Sequence, residues 1–211
     1  MGSDLTPGRL TTSVGSVSYV EPRDLSSANP NLSASDLSGH HLQVAGTAGG
    51  VGTTTITALL AESLFARTGR PPRVADHSGG NLRRRLIATE SNATYSIHDL
   101  GPHAWTVFGS VGEGSPIIVA SPETAEATLT TLHHLATSTP NGKPGVIIIN
   151  STIPRRRSTP VVTKLARTWP TTVIIAIDWD AALAEPGPID HTLVTTHTTR
   201  AITQVLEIVG V

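Results

Sequence analysis

Between residues 42 and 62 the chain reads Leu-Gln-Val-Ala-Gly-Thr-Ala-Gly-Gly-Val-Gly-Thr-Thr-Thr-Ile-Thr-Ala-Leu-Leu-Ala-Glu. This is a short apolar strand, a glycine-rich turn and a helix whose apolar residues Ile56, Leu59, Leu60 and Leu64 keep helical spacing. Few stretches constrain a fold more. When a strand feeds a glycine-rich turn into a helix N-terminus, backbone N–H groups converge on one point and the helix dipole favours negative charge there, which suits phosphate. Gly49, Gly50 and Gly52 supply the backbone freedom such wrapping needs. A lysine normally follows the last glycine of a turn of this kind, and here Thr53 stands in its place.

The rest of the chain repeats the strand–helix alternation. Strands are expected at 42–46, 73–76, 94–99, 116–120, 146–149 and 173–177, the later ones as unbroken apolar runs of the sort buried on both faces. Helices are expected at 53–67, 160–168 and 192–209, with a brief helical turn at 82–86. Another is opened by Ser121-Pro122-Glu123 as N-cap, first-position proline and first-turn acid. Six such units predict an α/β fold with a mostly parallel twisted sheet flanked by helices. Ligands of such sheets sit outside the carboxyl ends of the strands. Residues 1–39, rich in Ser, Gly, Pro, Asn and Asp without a sustained period, read as a disordered or loosely attached arm, and 40–211 as a single domain.

Composition removes several function classes. Fifteen basic and sixteen acidic residues leave a formal net charge of -1, so no global field recommends nucleic acid or an anionic membrane. With no cysteine there is neither a disulfide scaffold nor a thiolate nucleophile. No window approaches the ~18 apolar residues that span a bilayer, and the N-terminus lacks the apolar core of a signal peptide; a cytoplasmic protein is the expectation. His133 and His134 are adjacent, His191 and His197 are not four apart, and no zinc-protease or serine-hydrolase motif occurs. The three tryptophans stand among aliphatic residues or prolines and read as packing.

Taken together, the strand ends resemble those of the MinD/ParA branch of P-loop ATPases over residues 42–209. That family's loop has the form Lys-Gly-Gly-x-Gly-Lys-Thr-Thr. Here Ala48-Gly49-Gly50-Val51-Gly52-Thr53-Thr54-Thr55 keeps three glycines and two threonines in register and replaces both lysines, by Ala48 and Thr53. The resemblance implies a P-loop NTPase-like sheet, ATP or ADP with Mg²⁺ held by residues 49–55, Thr54, Asp76 and Asp99 as metal-side residues, and Asp76 and Asp99 as the catalytic ones. Asp76, with Gly79-Gly80-Asn81, looks like the switch segment after the second strand, and Asp99-Leu100-Gly101 like the Walker B aspartate and second switch glycine. Asn150 falls where the family reads adenine. The chain between Asn81 and the third strand is shorter than in ParA proteins, which implies missing partner-binding helices.

The loop lysine acts on both the bound phosphates and the charge that develops during transfer, so its loss should cost more in turnover than in binding. The lysine replaced by Ala48 reaches across the family's sandwich homodimer. The implied function is a degenerate switch or scaffold in DNA partition, conjugative transfer or positioning of a cellular machine, with a protein partner and little or no hydrolysis. Two alternatives stand beside it. One is a slow ATPase in which Arg83, Arg84 and Arg85, or Arg155, Arg156 and Arg157, or a partner, replaces the lysine. The other is a nucleotide-free interaction module. The same arginine runs could instead bind a non-specific DNA backbone or be solvated surface. A purely structural reading makes Asp99 a helix cap and Asn150 a turn residue.

Overall fold

The computed structural model describes residues 40–79, 81–89, 93–107, 116–138, 143–154 and 156–211. The arm at 1–39, Gly80 and Arg155 lie outside the described residues.

Six strands form one sheet, β1 (His40–Gly46), β2 (Arg73–Asp76), β3 (Tyr95–Asp99), β4 (Ile117–Ala120), β5 (Val146–Asn150) and β6 (Val173–Ile177), in the order β2-β3-β1-β4-β5-β6. Every pairing is parallel. The register sets β1 between β3 and β4, with Val44 opposite Asp99 and Ile117. The strand order reverses on either side of β1, which opens a crevice at its carboxyl end. β4 and β5 are buried at every position because helices cover both faces there.

On one face Leu42, Val44, Ile97, Val119 and Ile148 pack against α1 (Thr53–Thr68) and α6 (Thr196–Ile208). On the other, Ala45, Ile118, Ala120, Ile147 and Ile149 pack against α3 (Ala125–Ser138), α4 (Thr159–Leu165) and Trp169. Two further helices are single turns, α2 (Ala104–Val107) and α5 (Ala181–Ala184). β2 leads into a 3-10 turn at Leu82–Arg85, of which only Leu82 is buried. Ser121-Pro122-Glu123 leads into α3, whose regular turns begin only at Ala125. The Ser121 hydroxyl bonds to Thr124 Oγ1 at 3.0 Å and its carbonyl takes the N–H of Ala125, so these residues form a turn ahead of the helix. Among the described residues no helix is long and apolar enough to cross a membrane.

The face opposite α1 becomes polar toward the β2 side. His41 shares a hydrogen bond with Ser96, whose hydroxyl lies 3.5 Å from His98 Nε2, and His98 Nδ1 lies 3.4 Å from His77 Nε2. Burial, then the neighbouring His77, His41 and Arg73, lower the His98 pKa from 6.5 to about 4. A histidine whose folded pKa is depressed binds fewer protons folded than unfolded, so stability falls as pH drops from 6.5 toward 4. By pH 5 the loss should be about 2 kcal/mol. Urea unfolding at pH 7 and pH 5 should show that fall in the native chain and a flatter response in His98→Gln; equal pH slopes in the two would refute it.

Candidate functional site

The glycine-rich loop is fastened at its root by backbone bonds to the neighbouring strand ends. Gly46 donates its N–H to Gly101 O at 2.7 Å, and Thr47 donates to Val119 O at 2.9 Å. Gly50 and Gly52 have φ of 78° and 87°, where L side chains are strained. The glycines differ in the space around them. A Cβ on Gly49 would meet nothing within 4 Å, whereas one on Gly52 would lie 2.4 Å from Asn150 Nδ2. Gly46, not singled out by its sequence, is the tightest: a Cβ there would fall 2.2 Å from Thr53 Oγ1 and 2.9 Å from Val51 Cγ2. Thr53 is accordingly buried and folded back against the loop's own root. Ala48 packs on the core. The loop therefore presents backbone N–H groups and hydroxyls and carries no cationic side chain.

Beside it stand the two aspartates. Asp99 is fully buried; its Oδ1 accepts the N–H of Gly101 at 2.9 Å, and its Oδ2 has no partner among the described residues. The buried hydroxyl of Thr47 likewise has none. Unmet acceptors at that depth are costly, and a hard cation with its waters is the kind of group they fit. Asp76 accepts from Ser78 N at 2.9 Å, Ser78 Oγ at 2.7 Å and Leu82 N at 3.1 Å. It shapes the segment after β2 and sets the Ser78 hydroxyl 3.5 Å from Thr54 Oγ1. Gly101, at φ 60°, lies against Ser78, so the segments after β2 and β3 meet. Trp105 of α2 donates its indole N–H to Thr47 O at 3.1 Å. That tryptophan therefore braces the loop, a role its aliphatic neighbours in sequence concealed.

On the other side of the loop a cleft of about 250 Å³ opens, lined by Gly50, Gly52, Thr55, Asn150, Trp179 and Leu183 among others. Asn150 donates its amide N–H to Val51 O at 2.9 Å, which ties the end of β5 to the loop across 99 positions of sequence. Trp179 is 37% exposed on the cleft wall, contrary to the expectation that all three tryptophans are packing; only Trp169 is buried in the core. Asp180 stands beside Trp179, in the segment after β6. It caps α5 through Ala182 N at 3.1 Å and accepts from Thr195 N, Thr195 Oγ1 and Thr198 Oγ1 at 2.8 to 2.9 Å. Burial alone would raise its pKa, and these bonds from Thr195, Thr198 and Ala182 outweigh that and lower it. α5, one wall of the cleft, is thereby fixed to the start of α6.

The structure thus brings together the loop residues 49–55, Asp76, Asp99 and Asn150 at the carboxyl ends of β1, β2, β3 and β5. It distributes the basic runs differently. Arg85 turns to carbonyls at the end of α5 and in the loop beyond it rather than to the glycine-rich loop. Arg156 pairs with Glu123 at 3.5 Å, and Arg83, Arg84 and Arg157 are exposed.

No protein-family model matches the sequence, and no curated protein does. Solved structures do. A nucleotide-binding protein from Archaeoglobus fulgidus, in complex with ADP and with cobalt found in it, is 20% identical at a TM-score of 0.51, over 69% of this chain and 84% of that one. A ParA family ATPase from Chlorobium tepidum TLS is 14% identical at a TM-score of 0.49, over 82% of this chain and 99% of that one. The first likeness is one of fold, and the fold is the parallel α/β sheet flanked by helices expected from the sequence.

Proposed function

We propose that this chain is a degenerate MinD/ParA-like protein that holds ADP or ATP together with Mg²⁺, hydrolyses it little or not at all, and works as a nucleotide-dependent switch or scaffold with a protein partner. One observation carries the reading. The glycine loop and the cleft are a single concavity, since Gly50, Gly52 and Thr55 line both. A phosphate chain on the loop's N–H groups places the rest of the nucleotide in the cleft, between Asn150 and Trp179. Indole faces stack on bases at about 1–3 kcal/mol per base. Solution of the archaeal relative with ADP supports a nucleotide as the ligand.

Thr54 and Asp99 would hold the divalent ion, with Asp76 acting through Ser78; bound there, the ion neutralises phosphate charge. Asp99 Oδ2, buried and without a partner among the described residues, is the acceptor that fits it. Among the described residues, none that lines the loop and cleft supplies a second positive charge at the site of transfer. Thr53 is turned to Gly46, and Arg85 is held by backbone carbonyls elsewhere. Preorganised charge at the transferring group supplies much of such catalysis, so binding outlasts turnover. DNA partition, conjugative transfer and positioning of a cellular machine are the settings the resemblance implies for such a switch.

Titration of ADP and ATP with Mg²⁺, followed by phosphate release, tests both halves. Binding in the micromolar to millimolar range is expected, with release well below the about 1–10³ s⁻¹ of ordinary enzymes. No binding at millimolar nucleotide would sink the proposal, and turnover at an ordinary enzymatic rate would sink its second half.

A further inference from the structure

Arg85 belongs to a run that its sequence presents as solvated surface, yet it is built into the molecule. Its Nη2 donates to Leu183 O at 2.7 Å and its Nη1 to Gly187 O at 3.2 Å and to Glu185 O. Its own carbonyl accepts the N–H of Ile189 at 3.1 Å. The two ion pairs among the described residues, Arg156–Glu123 and Lys164–Glu126, do not include it, and its Nε has no partner there. The half-buried guanidinium is answered by carbonyls, and burial lowers its pKa. Arg suits the position because a planar fork reaches several acceptors at once, as lysine's point charge does not.

The contact joins the segment after β2 to a wall of the cleft. Arg85 closes the segment that Asp76 organises through Ser78 and Leu82, beside Thr54. The carbonyls it holds belong to the end of α5 and the loop beyond, and Leu183 and Ala184 line the cleft. We propose that Arg85 is a positioning residue for the base-side wall: it fixes α5 and residues 185–187 against the phosphate-side segment, and so sets how well the cleft holds a nucleoside. This rests on the reading of the cleft as a nucleoside site, and only its ligand-dependent half shares that reading's fate.

The test compares ADP with inorganic pyrophosphate, each with Mg²⁺, on the full chain and on Arg85→Gln and Arg85→Lys, together with amide hydrogen exchange. Arg85→Gln should weaken ADP at least tenfold and leave pyrophosphate within twofold, with Arg85→Lys between. Exchange should quicken at residues 181–189 and stay unchanged along α1. Equal weakening of both ligands, or of neither, would overturn the proposal. If the unaltered chain binds neither ligand, the nucleotide reading fails and exchange decides: quickening confined to 181–189 upholds the clamp, and unchanged or general quickening removes it.

Discussion

Gly52→Ala is expected to unmake the loop, with a loss of about 2–5 kcal/mol in stability and of all measurable nucleotide binding, while Gly49→Ala changes either little. Gly52 has φ of 87°, and a side chain in the left-handed region costs about 1–2 kcal/mol. Its methyl would also stand 2.4 Å from Asn150 Nδ2 and 3.3 Å from Thr152 Cγ2. Asn150 must then leave Val51 O, and a buried polar group without its partner costs about 1–3 kcal/mol more. Gly49 is the internal control, because it has open space and no positive φ. Denaturant unfolding and an ADP titration read both effects. A Gly52→Ala chain of native stability and affinity would show that the close approach of Asn150 to the loop has no role.

Chelating the divalent ion should weaken nucleotide binding at least about 100-fold, and Thr53→Lys should restore about tenfold or more of that loss without the metal. The basis is the charge inventory. The loop offers no cation, and Asp99 and Asp76 stand beside it. A unit charge about 5 Å from a like charge costs about 3 kcal/mol at an effective dielectric constant near 20, which is more than a hundredfold in affinity. A lysine contact to phosphate returns about 1.5–3 kcal/mol. Thr53 Oγ1 and Val51 Cγ2 fill the space beside Gly46, so a longer residue at 53 must leave that root and extend outward toward the phosphates. Equilibrium binding of ADP in Mg²⁺ and in EDTA, for both chains, decides the matter. Equal affinity with and without metal would end the argument, as would a Thr53→Lys chain whose metal-free affinity is unchanged.

How much of this could be read beforehand follows from where each signal lies. β5 is found where predicted and ends one residue later, because Val-Ile-Ile-Ile declares burial on both faces without reference to anything distant. β2 and β6 also keep their predicted bounds, yet β2 is nowhere fully buried and β6 begins exposed, so β6 is not the strand covered on both faces that its apolar run announced. α2 and α5 escaped because a four-residue helix has no period to detect. The glycines announced a tight loop, but which of them lacks room depends on Asn150 and Thr53, and Gly46 looked like the end of a strand. Trp179 follows a strand end on the expected ligand side, but its apolar neighbours made it look like packing rather than a cleft wall. Arg85 sits in a triplet whose first two members are exposed, and its partners are nearly a hundred positions away. Local chemistry was legible, and long-range partnership was not.

The bond from Asn150 to Val51 also has a consequence for timing. The loop is encoded by ten consecutive residues, and its helix and strand are local. Yet the amide that buttresses its last turn belongs to a strand made about a hundred residues later, and parallel neighbours meet only after long crossovers have closed. A chain emerging from the ribosome and halted before its fifth strand would carry every loop residue and no finished cradle. Ligand competence is then a late acquisition in the life of the polypeptide, gained when β5 docks beside β4.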